Sequence, residues 1–175
     1  MKFKIPQGEF TKILSFANTS LSARANLPIL SSILISAAKG KIEILSTNLE
    51  TATQVTGPSQ VEVDGKTTVP GKLLFEFVSQ LPDGEVVFEK LGEEVVVSAK
   101  RYNGRFATMP TEDFPAIPKI EKGNSILVSP ADFARAVGRV AYAASQDEGR
   151  PILTAAQDSI VRKSTERLRT QLRYI

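Results

Sequence analysis

The sequence predicts an α+β fold of repeated βαβββ half-domains, with helices laid on one face of antiparallel sheets. Three observations carry that expectation. A short apolar strand pattern ends in proline and passes directly into helical spacing three times along the chain. Turn residues then punctuate runs rich in Val, Ile and Thr. The chain also matches itself at two fixed offsets.

Residues 2–5 alternate as a short strand, and Pro6 stops it. Proline fits the first turn of a helix, where its missing N–H goes unused. Phe10, Ile13, Leu14 and Ala17 then recur at helical spacing, predicting a helix over 7–18. A loop of small and polar residues, Asn18 to Asn26, leads through Leu27-Pro28 into the apolar run Ile29 to Ala38. Lys39-Gly40 reads as a turn and Lys41 to Ser46 as the next strand, with β-rich stretches at Thr51 to Thr56 and Gln60 to Val63.

The pattern restarts at Thr67-Thr68-Val69-Pro70. Leu74, Phe77, Val78 and Leu81 predict a helix over 71–81, closed by the turn Pro82-Asp83-Gly84. A hairpin over Glu85 to Ala99 and a strand over Arg105 to Met109 follow. Pro110 to Gly123, rich in proline and charge, reads as a linker. Ile126-Leu127-Val128-Ser129-Pro130 opens the unit a third time, with Phe133, Val137, Val140 and Ala144 as the stripe of a helix over 130–144.

Shifting the chain by 123 residues sets Ile5 on Val128, Phe10 on Phe133, Leu14 on Val137 and Pro28-Ile29-Leu30 on Pro151-Ile152-Leu153. No gap is needed over about 30 residues. A shift of 64 sets Ile5-Pro6 on Val69-Pro70, Phe10 on Leu74, Ile13 on Phe77 and Leu14 on Val78. The chain therefore counts in half-domains of about 60 residues, two to a domain.

Composition narrows the chemistry. With no cysteine and no histidine, disulfides, thiol nucleophiles, most zinc sites and the usual neutral-pH general base are absent. Acidic residues are dispersed, and there is no Gly-rich phosphate loop or Gly-x-Ser-x-Gly, so the expectation is a non-catalytic protein without a cofactor. The start lacks a signal-like apolar stretch and no run reaches membrane-spanning length, which agrees with a cytoplasmic location. The net charge of +3 is not spread along the chain. Residues 1–122 hold fourteen basic and fourteen acidic side chains, 123–155 are balanced, and the last twenty carry the whole excess. Any surface for DNA must then come from local segregation of charge.

The outward helix faces are where such segregation would lie. On the third helix Arg135, Arg139 and Tyr142 fall opposite the apolar stripe. Two guanidiniums one turn apart with an aromatic suit a phosphate backbone; the same residues equally describe a solvated helix face. Lys12 and Ser15 point outward on the first helix, and Lys72, offset by Glu76, on the second.

Seven short stretches, in order, then carry a resemblance. They are Arg24-Ala25-Asn26-Leu27-Pro28-Ile29-Leu30, Ser46-Thr47-Asn48-Leu49-Glu50, Thr68-Val69-Pro70, Leu81-Pro82-Asp83-Gly84, Gly104-Arg105-Phe106, Glu112-Asp113-Phe114-Pro115, and Asp147-Glu148-Gly149-Arg150-Pro151-Ile152-Leu153-Thr154. With that spacing, residues 1 to about 155 resemble bacterial DNA sliding clamps, the beta subunit of DNA polymerase III. Asn48 stands where aspartate is usual, and Gly149 where a small hydroxyl residue is common.

The resemblance implies the DNA-clamp fold, with 1–118 as the N-terminal domain, 119–124 as linker and 125–155 as the start of the middle domain. It implies a processivity factor in DNA replication that encircles duplex DNA without sequence specificity. Its partners would be DNA polymerase and the clamp loader, and its ring a head-to-tail homodimer of three-domain protomers. By position, Arg24 resembles a loop residue that touches DNA, Lys72 a channel-facing cation, and Arg150 a second channel contact. Arg105 and Phe106 resemble the strand that pairs with the third domain of another protomer. Leu153 resembles one wall of the pocket for partner peptides. Residues 156–175 resemble no part of the clamp and read as a modest helix or disorder, so the chain is expected to be truncated, with ring closure in doubt.

Overall fold

The computed structural model describes residues 1–21, 27–117, 128–144, 157–162 and 168–173. It forms two compact units, Met1–Lys119 and Ile120–Ile175. In the first unit, strand β1 (Lys2–Pro6) buries Phe3 and Ile5 and leaves Lys2 and Lys4 half exposed, the alternation its sequence predicts. Pro6 turns the chain into helix α1 (Gln7–Ala17). There the Gln7 N–H donates to the Gly84 carbonyl at 2.8 Å, and its side-chain amide donates to the Val78 carbonyl at 2.8 Å. The first bond satisfies an otherwise orphaned N–H at the helix start, and the second satisfies a buried side-chain amide.

Strands β2 (Ser32–Ala38), β3 (Lys41–Thr47), β4 (Ala52–Pro58), β5 (Gln60–Val63) and β6 (Gly65–Pro70) follow, then helix α2 (Gly71–Ser79) and strands β7 (Glu85–Leu91), β8 (Glu94–Ala99) and β9 (Tyr102–Ala107). Lys39 (φ 51°) and Gly40 (φ 73°) both take left-handed backbone in the β2–β3 turn, the geometry that matches strand twist in a two-residue hairpin. The apolar run predicted from Ile29 begins as a 3-10 turn, Pro28–Ser31, because proline favours the turn over the ladder. The strand predicted over Arg105 to Met109 starts earlier, at Tyr102, and Met109 serves another purpose. Its main-chain N–H and carbonyl bond the Thr68 hydroxyl at 2.8 and 2.7 Å.

The strands make two antiparallel sheets, β4-β3-β2-β6 and β5-β1-β7-β8-β9. Each half-domain keeps three strands in one sheet and lends its first strand to the other, and the first half adds the short β5 beside β1. That exchange makes the two halves one cooperative body. Both helices bury Phe10, Ile13, Leu14, Leu74 and Val78 into a shared core. At its centre Phe3 stacks on Phe88 at 4.7 Å, and Phe10 meets both edge-on at 6.0 and 6.4 Å. Burial of each such ring contributes about 1.5–3 kcal/mol. A smaller cluster of Ile29, Leu30 and Phe114 covers Leu34 and Leu45 on the four-stranded sheet.

In the second unit, helix α3 spans Pro130–Gly138, shorter than the predicted 130–144. Gly138 carries a high entropic cost in a helix, and a 3-10 turn at Ala141–Ala143 follows. Phe133 and Val137, predicted as a buried stripe, remain 43% and 36% exposed. The tail expected as helix or disorder instead forms strands β10 (Gln157–Arg162) and β11 (Leu168–Arg173), paired antiparallel from Gln157↔Arg173 to Arg162↔Leu168.

Candidate nucleic-acid interface and an open sheet edge

Two surfaces of the first unit collect the residues singled out by sequence. The first is the outer face of the helices. Lys12 and Ser15 stand exposed on α1, and Lys72 and Glu76 on α2, because the opposite faces of both helices fill the core. Between them runs a groove of about 550 Å³ lined by Ser15, Asn18, Leu21, Ser31, Lys72 and Phe75. With Glu9 also exposed, the face holds two cations and two anions. With its charges balanced, such a face has no strong net attraction for a phosphate backbone. Arg24, Arg150 and Leu153 lie outside the described residues.

Arg135 is exposed on α3, and its guanidinium pairs with Asp132 Oδ1 at 2.7 Å. Arg139 caps the helix, its N–H donating to the carbonyls of Arg135 and Ala136 at 3.2 Å, and is exposed. Tyr142, 85% exposed, sits in the following 3-10 turn, off the helix on which the sequence put it.

The second surface is strand β9. The Thr108 N–H donates to the Glu93 carbonyl at 2.9 Å, which sets the phase of the ladder. Tyr102, Gly104 and Phe106 then bond toward β8. The main-chain groups of Asn103, Arg105 and Ala107 face away from it and have no strand partner among the described residues. Arg105 is exposed on the side away from the helices and meets Glu94 at 3.5 Å. Phe106 lies on the helix side, where its ring meets that of Phe77 edge-on at 5.7 Å.

Sequence reasoning missed the α2 side of this edge. A Cβ on Gly104 would stand 3.0 Å from the Phe77 ring, so glycine is what lets the helix lie this close. One turn earlier Leu73 is 57% exposed, forming with Phe77 an apolar stripe beside the strand. A glycine inside a strand pattern was the available signal, since it marks close approach.

The family model of the DNA polymerase III beta subunit, N-terminal domain, matches residues 1–118. The chain belongs to the bacterial sliding-clamp family. The Beta sliding clamp of Micrococcus luteus is 37% identical over 180 residues, covering 100% of this chain and 58% of that protein. That alignment takes in residues 156–175 as well. The Beta sliding clamp of Streptomyces coelicolor is 29% identical, covering 99% of the chain and 47% of the relative. Among solved structures, Caulobacter crescentus pol III beta superposes with a TM-score of 0.87 at 28% identity, over 98% of this chain and 46% of that one. A Bartonella birtlesii sliding clamp bound to griselimycin gives 0.88 at 26% identity, over 97% and 46%. The chain thus spans about half the length of most clamps it matches, and the clamp fold in the first unit is α+β, with helices on one side of antiparallel sheets.

Proposed function

We propose that this chain is the leading part of a processivity factor that encircles duplex DNA and tethers the replicative polymerase, with no catalytic step of its own. The observation that carries the reading is the pairing of an exposed, nearly neutral helix face with an open strand edge in one clamp-family unit. Arg24, Lys72, Arg135, Arg139 and Arg150 touch phosphates, Arg105 and Phe106 join β9 to a strand of another protomer, and Leu153 lines the partner-peptide pocket. Retention comes from topology, so the contacts can be few and blind to sequence. Five cations on five phosphates correspond to a slope of about −4.5 in log affinity against log salt. The proposed setting is the cytoplasm, and the proposed partners are the polymerase and the clamp loader.

Light scattering combined with retention on circular and linearised DNA tests the reading. The expected result is a dimer held on circles and lost when the DNA is cut. Lys72→Glu should weaken binding uniformly across sequences and flatten the salt slope by about one unit. A monomer that falls off both substrates would overturn ring closure and leave a folded first domain without clamp activity.

A further inference from the structure

Beyond that reading, we propose that Asn103-Gly104 on β9 is a site of spontaneous modification, where the asparagine closes on its own main chain and becomes aspartyl or isoaspartyl. The step needs water and no enzyme. The Gly104 nitrogen attacks Asn103 Cγ and gives up its proton, the side-chain amide leaves as ammonia, and a cyclic imide results. Water then opens the ring. Addition at Cγ gives aspartate. Addition at the former main-chain carbonyl gives isoaspartate, whose chain runs through Cβ and Cγ and is one carbon longer.

Packing, exposure and topology converge on this pair. Glycine leaves the attacking nitrogen without a Cβ beside it. The helix contact demands that glycine, because a Cβ there would stand 3.0 Å from the Phe77 ring. The close approach of α2 thus creates the reactive dipeptide. Asn103 is exposed, and its side-chain amide makes no hydrogen bond among the described residues. Asn48 differs on both counts: its Oδ1 accepts from the N–H groups of Glu50 and Thr51 at 3.1 and 2.7 Å, and Leu49 crowds the next nitrogen. Asn18 Oδ1 is buried, and the branched Thr19 follows it. Asp64-Gly65 and Asp83-Gly84 carry carboxylates, which resist the same attack. Finally, β9 is the outermost strand of its sheet and is held on one side only, by β8.

The ladder sets the rate. Gly104 pairs with Val97 and turns its N–H into β8, while extended antiparallel backbone has ψ at about +135°. In that geometry the nitrogen cannot reach Cγ. The attack waits for β9 to open locally, which costs less at an edge than inside a sheet. A strand bonded to the outward groups of Asn103 and Arg105 would hold it shut. Resting on the head-to-tail reading of this edge, the site is therefore reactive in free chains and protected in closed rings. Isoaspartate shifts Arg105 and Phe106 out of register with β8. Either product adds an anion on the face where Glu94 already meets Arg105 at 3.5 Å. A chain that ages unpaired becomes unfit to join a ring.

Peptide mapping by mass spectrometry, on the 175-residue chain held in warm, mildly alkaline buffer, reads the reaction. The expected result is the mass gain of an amide-to-acid change at Asn103, resolved chromatographically into two isomers, with Asn18 and Asn48 intact. In urea Asn103 should react at least about tenfold faster, since no ladder restrains it. Phe77→Ala removes the ring that rests on Gly104 and should speed the folded reaction severalfold while leaving the urea rate unchanged. If Asn103 reacts no faster than Asn48 in the folded chain, the site is overturned. Equal rates with and without urea would overturn the gating by β9. Size separation of a partly aged sample tests the consequence: isoaspartyl chains should collect in the monomer and be missing from the dimer. Modified chains spread evenly through both would sink it. A monomer throughout counts against ring closure and not against the modification, which the mass map decides alone.

Discussion

The two halves of the first unit run the same construction with different residues. In the first, α1 lies on β4, where Gly57 makes room for Ile13; in the second, the Phe77 ring of α2 reaches β9, where Gly104 makes room for it. The 64-residue offset that aligns Ile13 with Phe77 also aligns Glu9 with Leu73. So the helix flank is acidic in the first half and apolar in the second. Ile13 is 8% exposed, whereas Phe77 is only partly buried and leads out to an exposed leucine. A shared scaffold holds both glycines in place; the residues around them decide how much apolar surface each helix leaves exposed beside its strand.

The largest expected difference lies in the core positions that the same offset equates, Phe10 and Leu74. Both are fully buried, but Phe10 also joins the ring cluster of Phe3 and Phe88. Phe10→Ala should cost about 3–5 kcal/mol and Leu74→Ala about 2–5 kcal/mol, read as shifts in the denaturant midpoint. Aromatic pairs contribute beyond their area, so Phe10→Ala should be the worse of the two. Equal losses would mean the ring geometry contributes nothing beyond volume.

The glycines come next. A Cβ at Gly57 would overlap Ile13 Cδ1 inside the core, where repacking is restricted. Gly57→Ala should therefore cost about 1–3 kcal/mol. At Gly104 the neighbour is a half-buried ring with room to shift by tenths of an ångström, so Gly104→Ala should cost less. Thermal unfolding of the two variants side by side decides it. A larger loss at Gly104 would contradict the idea that the second half is the looser one at its edge.

Much of this was legible before the structure. Proline followed by helical spacing marked β1–α1 and β6–α2, because the residue types that stop a strand and start a helix are few. The repeat gave the half-domains. What could not be read was where first strands go. Nothing local in Lys2–Pro6 says that it pairs with the distant β7, since the exchange is fixed by burial of Phe3 against Phe88. At the site, the exposure of Lys12 and Lys72 followed from helical phase. The shelf of Leu73 and Phe77 did not, because helical spacing assigned Phe77 to the core and left Leu73 unremarked. The periodicity of Val140 and Ala144 extends the predicted helix to 144, while the helix ends at Gly138.

The loops that close each outer hairpin differ too. Between β3 and β4, Asn48 Oδ1 accepts from the N–H groups of Glu50 and Thr51 and from the Thr51 hydroxyl at 2.7–3.1 Å, and holds Leu49 at φ 77°. Between β8 and β9 the turn rests on Lys100 at φ 52° without such an acceptor. Asn48→Ala should cost about 1–2 kcal/mol by leaving those donors to water and an unsupported turn. Lys100→Ala should stay within about 0.5 kcal/mol. Chemical denaturation of both reads the contrast.

The smallest effect tests whether charge helps hold β1 against its neighbour β5 in the five-stranded sheet. Lys4 on β1 meets Glu62 on β5 at 3.1 Å, with Lys2 at 3.4 Å from the same carboxylate. The hydrogen bond from Lys4 holds the Glu62 carboxyl below its ordinary 4.5, and the same contact raises Lys4 above its ordinary 10.5. The Glu62 contribution is therefore complete above pH 4.5 and fades as pH falls through the lowered value. The Lys4 contribution is complete below pH 10.5 and fades only as pH rises through the raised value. Both side chains keep about a third of their surface in solvent, 29% and 33%, so screening keeps the effect small. Glu62→Gln should lower stability slightly at neutral pH, and its curve should merge with that of the parent as acid protonates Glu62. High salt should shrink the same gap. A gap that persists in acid would assign the loss to packing, and β1 would then be held by its ladder and by Phe3 and Ile5 alone.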